Sequence, residues 1–409
     1  MDFEDSYTEE QEQFRKEVHA WLEKSIPEKM KAPIERRTLL SDEQYRFWRE
    51  KHKELAAKGW LFSTYPKQYG GGGLTADHET ILEEEFHRFR VMHSFTSIQV
   101  FPALLVWATE EQKQKFLVPI LKSEKIAWMK FTEPHSGSDS ASYESKAVRD
   151  GDDWLLSGSN VFISGIPDSG PDWLFGPMLT DPEAPRHRNL GYFMIPVPTP
   201  GLEIRRMKLL TGDEQHFIYL DNVRVPGNHL IGNDHQGWQV ANSTLEQEHG
   251  GRGRAFPKDD VVDNLLGYMR DMKHEGKAPG GDPVLQQTVV ESHVEGHIGI
   301  LLQRRTYGMY MSRTEMSWEA PVGALYRRMY GLRNAGRVRD VMGMYSMLGT
   351  KEPLAPHGGM QEVEQRHSLQ HQHGAGSLNI AKVTLARRIG ISRTRERAAP
   401  TPMTAVGQG

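Results

Sequence analysis

Hydroxyl side chains gather on two short stretches of this chain. Thr132, Ser136 and Ser138 lie in Thr132-Glu-Pro-His-Ser136-Gly137-Ser138-Asp139, and Ser164 closes Asn160-Val-Phe162-Ile-Ser164. Hydroxyls and bare backbone N–H groups suit the polar edge of a cofactor or a phosphate, and Gly137 lets the backbone approach such a group closely. Between the two stretches, Asp150-Gly151-Asp152 separates the β-rich runs 145–149 and 154–157. Asp-Gly in that setting predicts a hairpin. The same features also fit an ordinary loop, hairpin and strand.

The elements that must position these groups change character along the chain. Residues 1–125 read as helical. Phe14, Val18, Trp21 and Leu22 share one helical face. A second helix is predicted over Asp42–Lys58 with Phe47 and Leu55 inward, a third over Ala76–Arg90 capped by Thr75, and a short one over Glu110–Leu121. The glycine run Gly70–Gly73 has the flexibility of a phosphate loop, but no Gly-Lys-Ser/Thr follows it. Residues 126–235 read as short strands punctuated by Pro and Gly, including Tyr192–Val197, Leu202–Arg206, Phe217–Leu220 and Val223–Val225. Such spacing predicts a small barrel or sandwich. Residues 236–393 return to helices: Trp238–Glu248, Lys258–His274, Pro283–Arg313, Pro321–Leu348 and Ser377–Ile389. Residues 394–409 read as a mobile tail poor in apolar residues.

Composition narrows the class. The chain has 409 residues, 37% of them hydrophobic and 25% charged, which predicts two or three packed domains of ordinary globular type. A net charge of -4 gives no reason to expect nucleic acid. Without cysteine there is no disulfide, thiolate metal site or thiol nucleophile. No His pair stands on ligand spacing with acidic partners, so no metal is expected. No run approaches the roughly 20 apolar residues of a membrane span. The acidic start Met1-Asp-Phe-Glu-Asp does not read as a signal peptide. The expectation is a cytoplasmic enzyme.

Thr132-Glu-Pro-x-x-Gly137-Ser138-Asp139, followed after a hairpin by the triplet Phe162-Ile163-Ser164, resembles the acyl-CoA dehydrogenase family, in its heteromeric, actinobacterial-type branch. The resemblance covers about residues 6–393. It implies an α+β fold: an N-terminal helical domain, a middle small β-barrel domain and a C-terminal helical bundle. It also implies FAD as cofactor. Met129, Phe131 and Thr132 would line the flavin, and Ser138 would lie near its pyrophosphate and the incoming thioester. Phe162 would stack on the ring where many members have Trp, and Ser164 would hydrogen-bond near the reactive nitrogen. Gly376, Ser377 and Asn379 would complete the cofactor surface. In the same family a loop like Tyr65-Pro-x-x-Tyr69-Gly-Gly joins the early helices.

The implied reaction is α,β-dehydrogenation of an acyl-CoA to the trans-2-enoyl-CoA. It needs a base for a weakly acidic α-proton, donors for the enolate oxygen and an acceptor for the β-hydride. Burial would strengthen a carboxylate base, and each oxyanion donor is worth about 3 kcal/mol. The family's usual base lies in a Tyr-Glu-Gly-Thr loop before the last helix. Counting back from Ala386-Arg-Arg388 places Ala375 at the Glu position and Gly374 at the Tyr position. A second family position, on a helix after the β domain, falls on Glu248 in Leu245-Glu-Gln-Glu248-His249. The resemblance therefore implies Glu248 as the base, with the backbone N–H of Ala375 still available to the thioester oxygen. Ser138, Glu246 and His249 would contact substrate. A solvated helix glutamate is the plainer reading of Glu248.

In homotetrameric members an Arg-x-x-Phe-Gly segment reaches the neighbour's FAD. Here the Arg and Phe positions hold Met272 and Glu275, and a later Gln aligns with Ser346. This implies a tetramer of α2β2 type with a related acyl-CoA dehydrogenase subunit, and an electron-transfer flavoprotein or similar acceptor. A catalytically silent subunit that completes a partner's FAD site, and a flavin oxidase or monooxygenase on the same fold, are the competing readings. The acyl group, whether fatty, branched or a steroid side chain, is left open.

Overall fold

The computed structural model describes residues 7–31, 40–165, 170–249, 253, 259–273, 277–312, 314–350, 352–372, 374 and 376–392. For residues 246–249, 260, 371 and 372 it describes the backbone alone. The N-terminal region is helical. Helix α1 (Glu9–Ser25) starts at Thr8 and α2 (Asp42–Ala57) at Ser41, each with a reciprocal capping box to a glutamine three residues on. Their inward faces carry Val18 and Leu22, and Trp48, His52 and Leu55. His52 is bonded to the Met92 carbonyl at 2.9 Å, and burial pushes its pKa down to about 4, so it is neutral. Helix α3 (Ala76–Arg88) begins at Thr75 as expected, but the threonine hydroxyl bonds the His78 ring at 2.7 Å and caps no backbone N–H. Helices α4 (Val100–Trp107), α5 (Glu110–Gln112) and α6 (Val118–Leu121) follow, with a π-helical turn at Lys113–Leu117 between the last two. The glycine run is a packing device. A Cβ at Gly72 would sit 2.0 Å from the Gly59 carbonyl oxygen, and one at Gly71 would sit 2.4 Å from that of Tyr65.

The middle region is one sheet of eight strands: β1 (Ala127–Met129), β2 (Lys146–Asp150), β3 (Asp153–Ile163), β4 (Trp173–Leu179), β5 (Leu190–Pro196), β6 (Leu202–Lys208), β7 (Glu214–Pro226) and β8 (Leu230–Ile231). Their order is β6-β7-β3-β2-β4-β5-β8, with β1 parallel to β4. The strands feed two cores, one where Trp154, Leu174, Phe193, Ile218 and Val225 meet and one holding Phe175, Tyr192, Met194 and Ile231. The Asp-Gly hairpin forms as predicted, pairing Arg149 with Trp154. Two sequence expectations change. Residues 217–220 and 223–225 are one strand, kept continuous by a bulge near Asn222, whose φ is 49°. Trp173–Leu179 is an additional strand, buried along nearly its whole length.

The C-terminal region holds α7 (Gly237–His249), α8 (Asp260–Asp271), α9 (Pro283–Met311), α10 (Glu319–Met342), α11 (Met360–Ser368) and α12 (Leu378–Arg388). Helix α11 is another element absent from the sequence reading. Helices α9 and α10 are joined by Ser292 donating to Asn334 at 2.8 Å, and by Glu295 with Arg333 and Arg337. Helix α12 buries no residue. The 394–409 tail lies outside the described residues.

Candidate active site

The first motif stretch leaves β1 and runs beside β4. Lys130 N–H donates to the Phe175 carbonyl at 2.9 Å. Gly176 makes that approach possible, because a Cβ there would lie 2.3 Å from the Lys130 oxygen. The second stretch ends β3. Val161 N–H donates to the Thr132 carbonyl at 2.9 Å, and the Asn160 side-chain amide reaches the same oxygen at 3.3 Å. Thr132 and Phe162, 30 positions apart by number, thereby share one ledge.

Phe162 stands out on that ledge. The β3–β7 ladder slips between Asn160 and Ile163, leaving Phe162 in a bulge at φ 60° and 55% exposed. A bulky side chain in the left-handed region is strained, and such strained positions cluster at ligand-binding surfaces. Ser164 is also exposed, and its hydroxyl accepts from the Gln215 side-chain amide at 3.0 Å. Gln215 was invisible to sequence reasoning because it lies on another strand. Beneath them His216 bonds the Ile163 carbonyl at 3.1 Å and lies over the Trp128 ring, and burial lowers its pKa.

The Glu-Pro-His-Ser-Gly-Ser-Asp turn is held from within. Buried Glu133 accepts from the N–H groups of Glu144 at 2.7 Å and Ser145 at 3.1 Å. Asp139 is bonded by the Ser142 hydroxyl at 2.6 Å and paired with Arg186, and both lower its pKa. Ser138 is exposed. Around Gly137 the protein leaves room: a Cβ would meet only the Thr132 methyl, at 3.8 Å. Met129 is half-buried, and its N–H donates to Ser97 Oγ at 3.2 Å. The Phe131 ring is buried beside Tyr192, so its backbone is what it can offer a ligand.

These groups make an exposed aromatic face, hydroxyls on either side of it, and an open glycine corner. That donor set fits a flat heteroaromatic ring with polar edges and an anionic tail, as in a flavin nucleotide. A cleft of about 480 Å³ between Tyr45, Arg49, Ile126, Asp172 and Val197 contains none of these residues. The ledge is an open surface and not a closed pocket.

Helix α7 carries Glu246, Glu248 and His249, whose side chains lie outside the described residues. Its earlier turns are fixed by buried Val240, Ala241 and Thr244, the last bonded to the Tyr192 hydroxyl at 3.0 Å. Ala375 also lies outside the described residues. Next to it, exposed Gly376 adopts φ 81°, and its carbonyl accepts from Arg328 at 2.7 Å. Ser377 caps α12 through the Ile380 N–H at 3.2 Å, and Asn379 is exposed in the first turn. This segment rests on α10. Among the described hydrogen bonds none ties it to the Thr132–Ser164 ledge. Ser346 is buried, with its hydroxyl donating to the Gly343 carbonyl at 2.7 Å. No His, Asp or Glu cluster able to hold a metal occurs among the described residues.

Residues 8–124 match the family model for the acyl-CoA dehydrogenase N-terminal domain, and residues 129–223 match that for the middle domain. FadE34 of Mycobacterium tuberculosis is 28% identical over 76% of this chain, which spans 44% of that protein's length. FadE26 of the same organism is 30% identical over 92% of this chain and 96% of its own. The ChsE4–ChsE5 complex from Mycobacterium tuberculosis superposes with a TM-score of 0.81 over 96% of this chain and 100% of that chain, at 21% identity. PigA, solved with FAD and proline, gives 0.76 over 96% and 100% at 18% identity. With near full-length similarity to FadE26 and both domain models matched in order, the chain belongs to the acyl-CoA dehydrogenase family of oxidoreductases.

Proposed function

We propose that the chain binds FAD on the Thr132–Ser164 ledge and dehydrogenates an acyl-CoA at its α,β bond, with Glu248 as base. The observation that carries this is the Val161–Thr132 hydrogen bond beside a Phe162 turned out of its strand. FAD, when bound, supplies the acceptor for the β-hydride. The protein's part is to hold and to deprotonate. Phe162 stacks on the flat ring, and Ser164, oriented by Gln215, meets its polar edge. Ser138 and the open corner at Gly137 face the pyrophosphate and thioester. Glu248, one turn beyond the anchored Thr244–Leu245 segment of α7, takes the α-proton. The Ala375 N–H donates to the thioester oxygen, and Glu246 and His249 border the substrate. Gly376, Ser377 and Asn379 complete the cofactor surface from the C-terminal side.

The test is spectroscopic. The chain purified with its genomic neighbours should be yellow, and acyl-CoA should bleach the flavin band under anaerobic conditions. A colourless protein under all these conditions would refute the reading.

One observation favours a heteromeric unit. Ser346, aligned with a Gln that serves a neighbour's FAD, is buried and bonded inside its own chain. ChsE4–ChsE5 is itself a complex of two different chains. We assign this chain to an α2β2 assembly with a related subunit that supplies the missing contacts.

A further inference from the structure

Lys130 has no task in the reading above. It is 0% exposed, between Met129 and Phe131 and two residues before Thr132. Its ammonium donates to the Pro177 carbonyl at 3.2 Å and contacts Met178 Sδ at 2.9 Å. Met178 belongs to the core shared by Trp128, Trp154 and Phe193, whereas Phe131 packs in a second cluster with Phe175 and Tyr192. The ammonium therefore enters the interior of the sheet. No carboxylate of a described residue lies within ion-pair distance of it. Glu133 attracts it from further away while its own oxygens accept backbone N–H groups. Burial pushes the Lys130 pKa down to about 8, and the charge of Glu133 opposes that shift.

A lysine at this depth is unusual, and an apolar side chain of similar length would fill the space without desolvating a charge. An ammonium without a contact counter-ion also acts beyond its own contacts. Its field is weakly screened in the interior. Consecutive Cα atoms are 3.8 Å apart, which keeps the Lys130 and Thr132 backbones within about 8 Å. The ammonium stands one lysine side chain beyond that backbone, and Coulomb attraction through the interior still reaches a group seated on Thr132.

We propose that Lys130 tunes the cofactor, raising the reduction potential of the flavin on the Thr132–Ser164 ledge; this rests on the FAD site proposed above. The balance is simple. The substrate's hydride brings two electrons and one proton to the ring, leaving it one negative charge richer until a solvent proton arrives. A nearby fixed cation favours that charged state and leaves the oxidised ring almost unaffected. Lys130 touches neither substrate nor cofactor in this scheme, so it is a positioning charge and not a catalytic residue.

The experiment is a dye-equilibration measurement of the flavin midpoint potential at pH 7. It compares the wild-type holoprotein, with any copurifying partner, with Lys130→Met and Lys130→Gln. Both neutral variants should retain flavin and require a more reducing poise. A roughly tenfold change in the oxidised-to-reduced ratio is expected, about 30 mV for a two-electron couple. A folded, flavin-loaded neutral variant at the wild-type potential overturns the proposal. So does failure of both variants to fold, since the ammonium would then be a structural requirement of the core. A wild-type protein that never holds flavin would instead remove the site reading itself, which flavin content reports separately from the potential.

Discussion

The backbone N–H of Val161 donates to the carbonyl of Thr132 at 2.9 Å, and with the Asn160 amide on the same oxygen it sets the two hydroxyl-bearing stretches edge to edge. Its neighbour Phe162 is free to turn outward because the ladder to β7 slips at that point. A regular strand would have continued the pairing of β3 with β7 there. The bulge removes that pairing and gives an exposed aromatic face.

Ser164→Ala and Phe162→Ala should therefore act on cofactor retention and leave folding intact. Ser164 is exposed and its one described bond is to half-buried Gln215, so its loss should change the melting temperature little. One hydrogen bond is worth about 0.5–1.5 kcal/mol, so flavin affinity should fall by up to about tenfold. Removing the stacking ring should weaken it at least as much. Flavin released on dilution, followed by fluorescence, measures both. Unchanged retention in both variants would move the cofactor off this ledge.

The base is tested by Glu248→Gln, which keeps the size and removes the proton acceptor. Turnover should drop ~10²-fold or more, the low end of general-base contributions, with flavin content unchanged. Near-normal turnover would return the search to Glu246, two positions back on α7 and so on another face of the helix.

Much of this arrangement was legible beforehand, and the misses have physical causes. The hairpin and α2 follow from local chemistry, namely an Asp-Gly turn and a helical apolar face. Strand β4 escaped because it is buried on both faces, so it lacks alternation, and Gly176-Pro177 imitates a turn. The Gln215–Ser164 and Arg186–Asp139 pairs join residues 51 and 47 positions apart. Spacing within one stretch carries no trace of them. Nothing in the sequence singles out Lys130, and only the packing of Met178 and Pro177 around it reveals its depth.

The contact between α11 and the β6–β7 turn should weaken as pH rises. His367 bonds Asp213 at 3.1 Å, and that bond raises its pKa above the ordinary 6.5. A histidine with a raised folded-state pKa contributes its full stabilisation below the unfolded value and loses it as pH climbs through the folded one. Amide exchange at Thr211–Asp213 should be slower at pH 6 than at pH 8 after correction for the intrinsic rate. His367→Gln should abolish the difference. Arg366, which donates to the Thr211 carbonyl, stays charged throughout and serves as the internal control. An exchange ratio that His367→Gln leaves unchanged would discard the idea.

Assembly is the remaining test. Closed symmetric oligomers present the same surface at every equivalent site, so a homotetramer would offer each FAD this chain's own Met272 and Ser346. Met272 ends α8, with its N–H on the Tyr268 carbonyl and its side chain against the local core. Ser346 faces inward. Arg270, two positions before Met272, is already paired with Asp271 at 2.6 Å. None of the three offers an uncommitted cation to a pyrophosphate, where a bidentate arginine would be strong. Meanwhile α9 exposes Val290, Val294, Ile298 and Leu301 at helical spacing, an apolar stripe left uncovered among the described residues. A related subunit lying on such a stripe and bringing its own arginine would satisfy both needs. Co-expression with that subunit should yield a particle of two plus two chains holding two FAD, while the chain alone should lose flavin and aggregate or dissociate. Native mass and flavin content decide between them. A stable homotetramer with four FAD and full activity would rule the heteromer out.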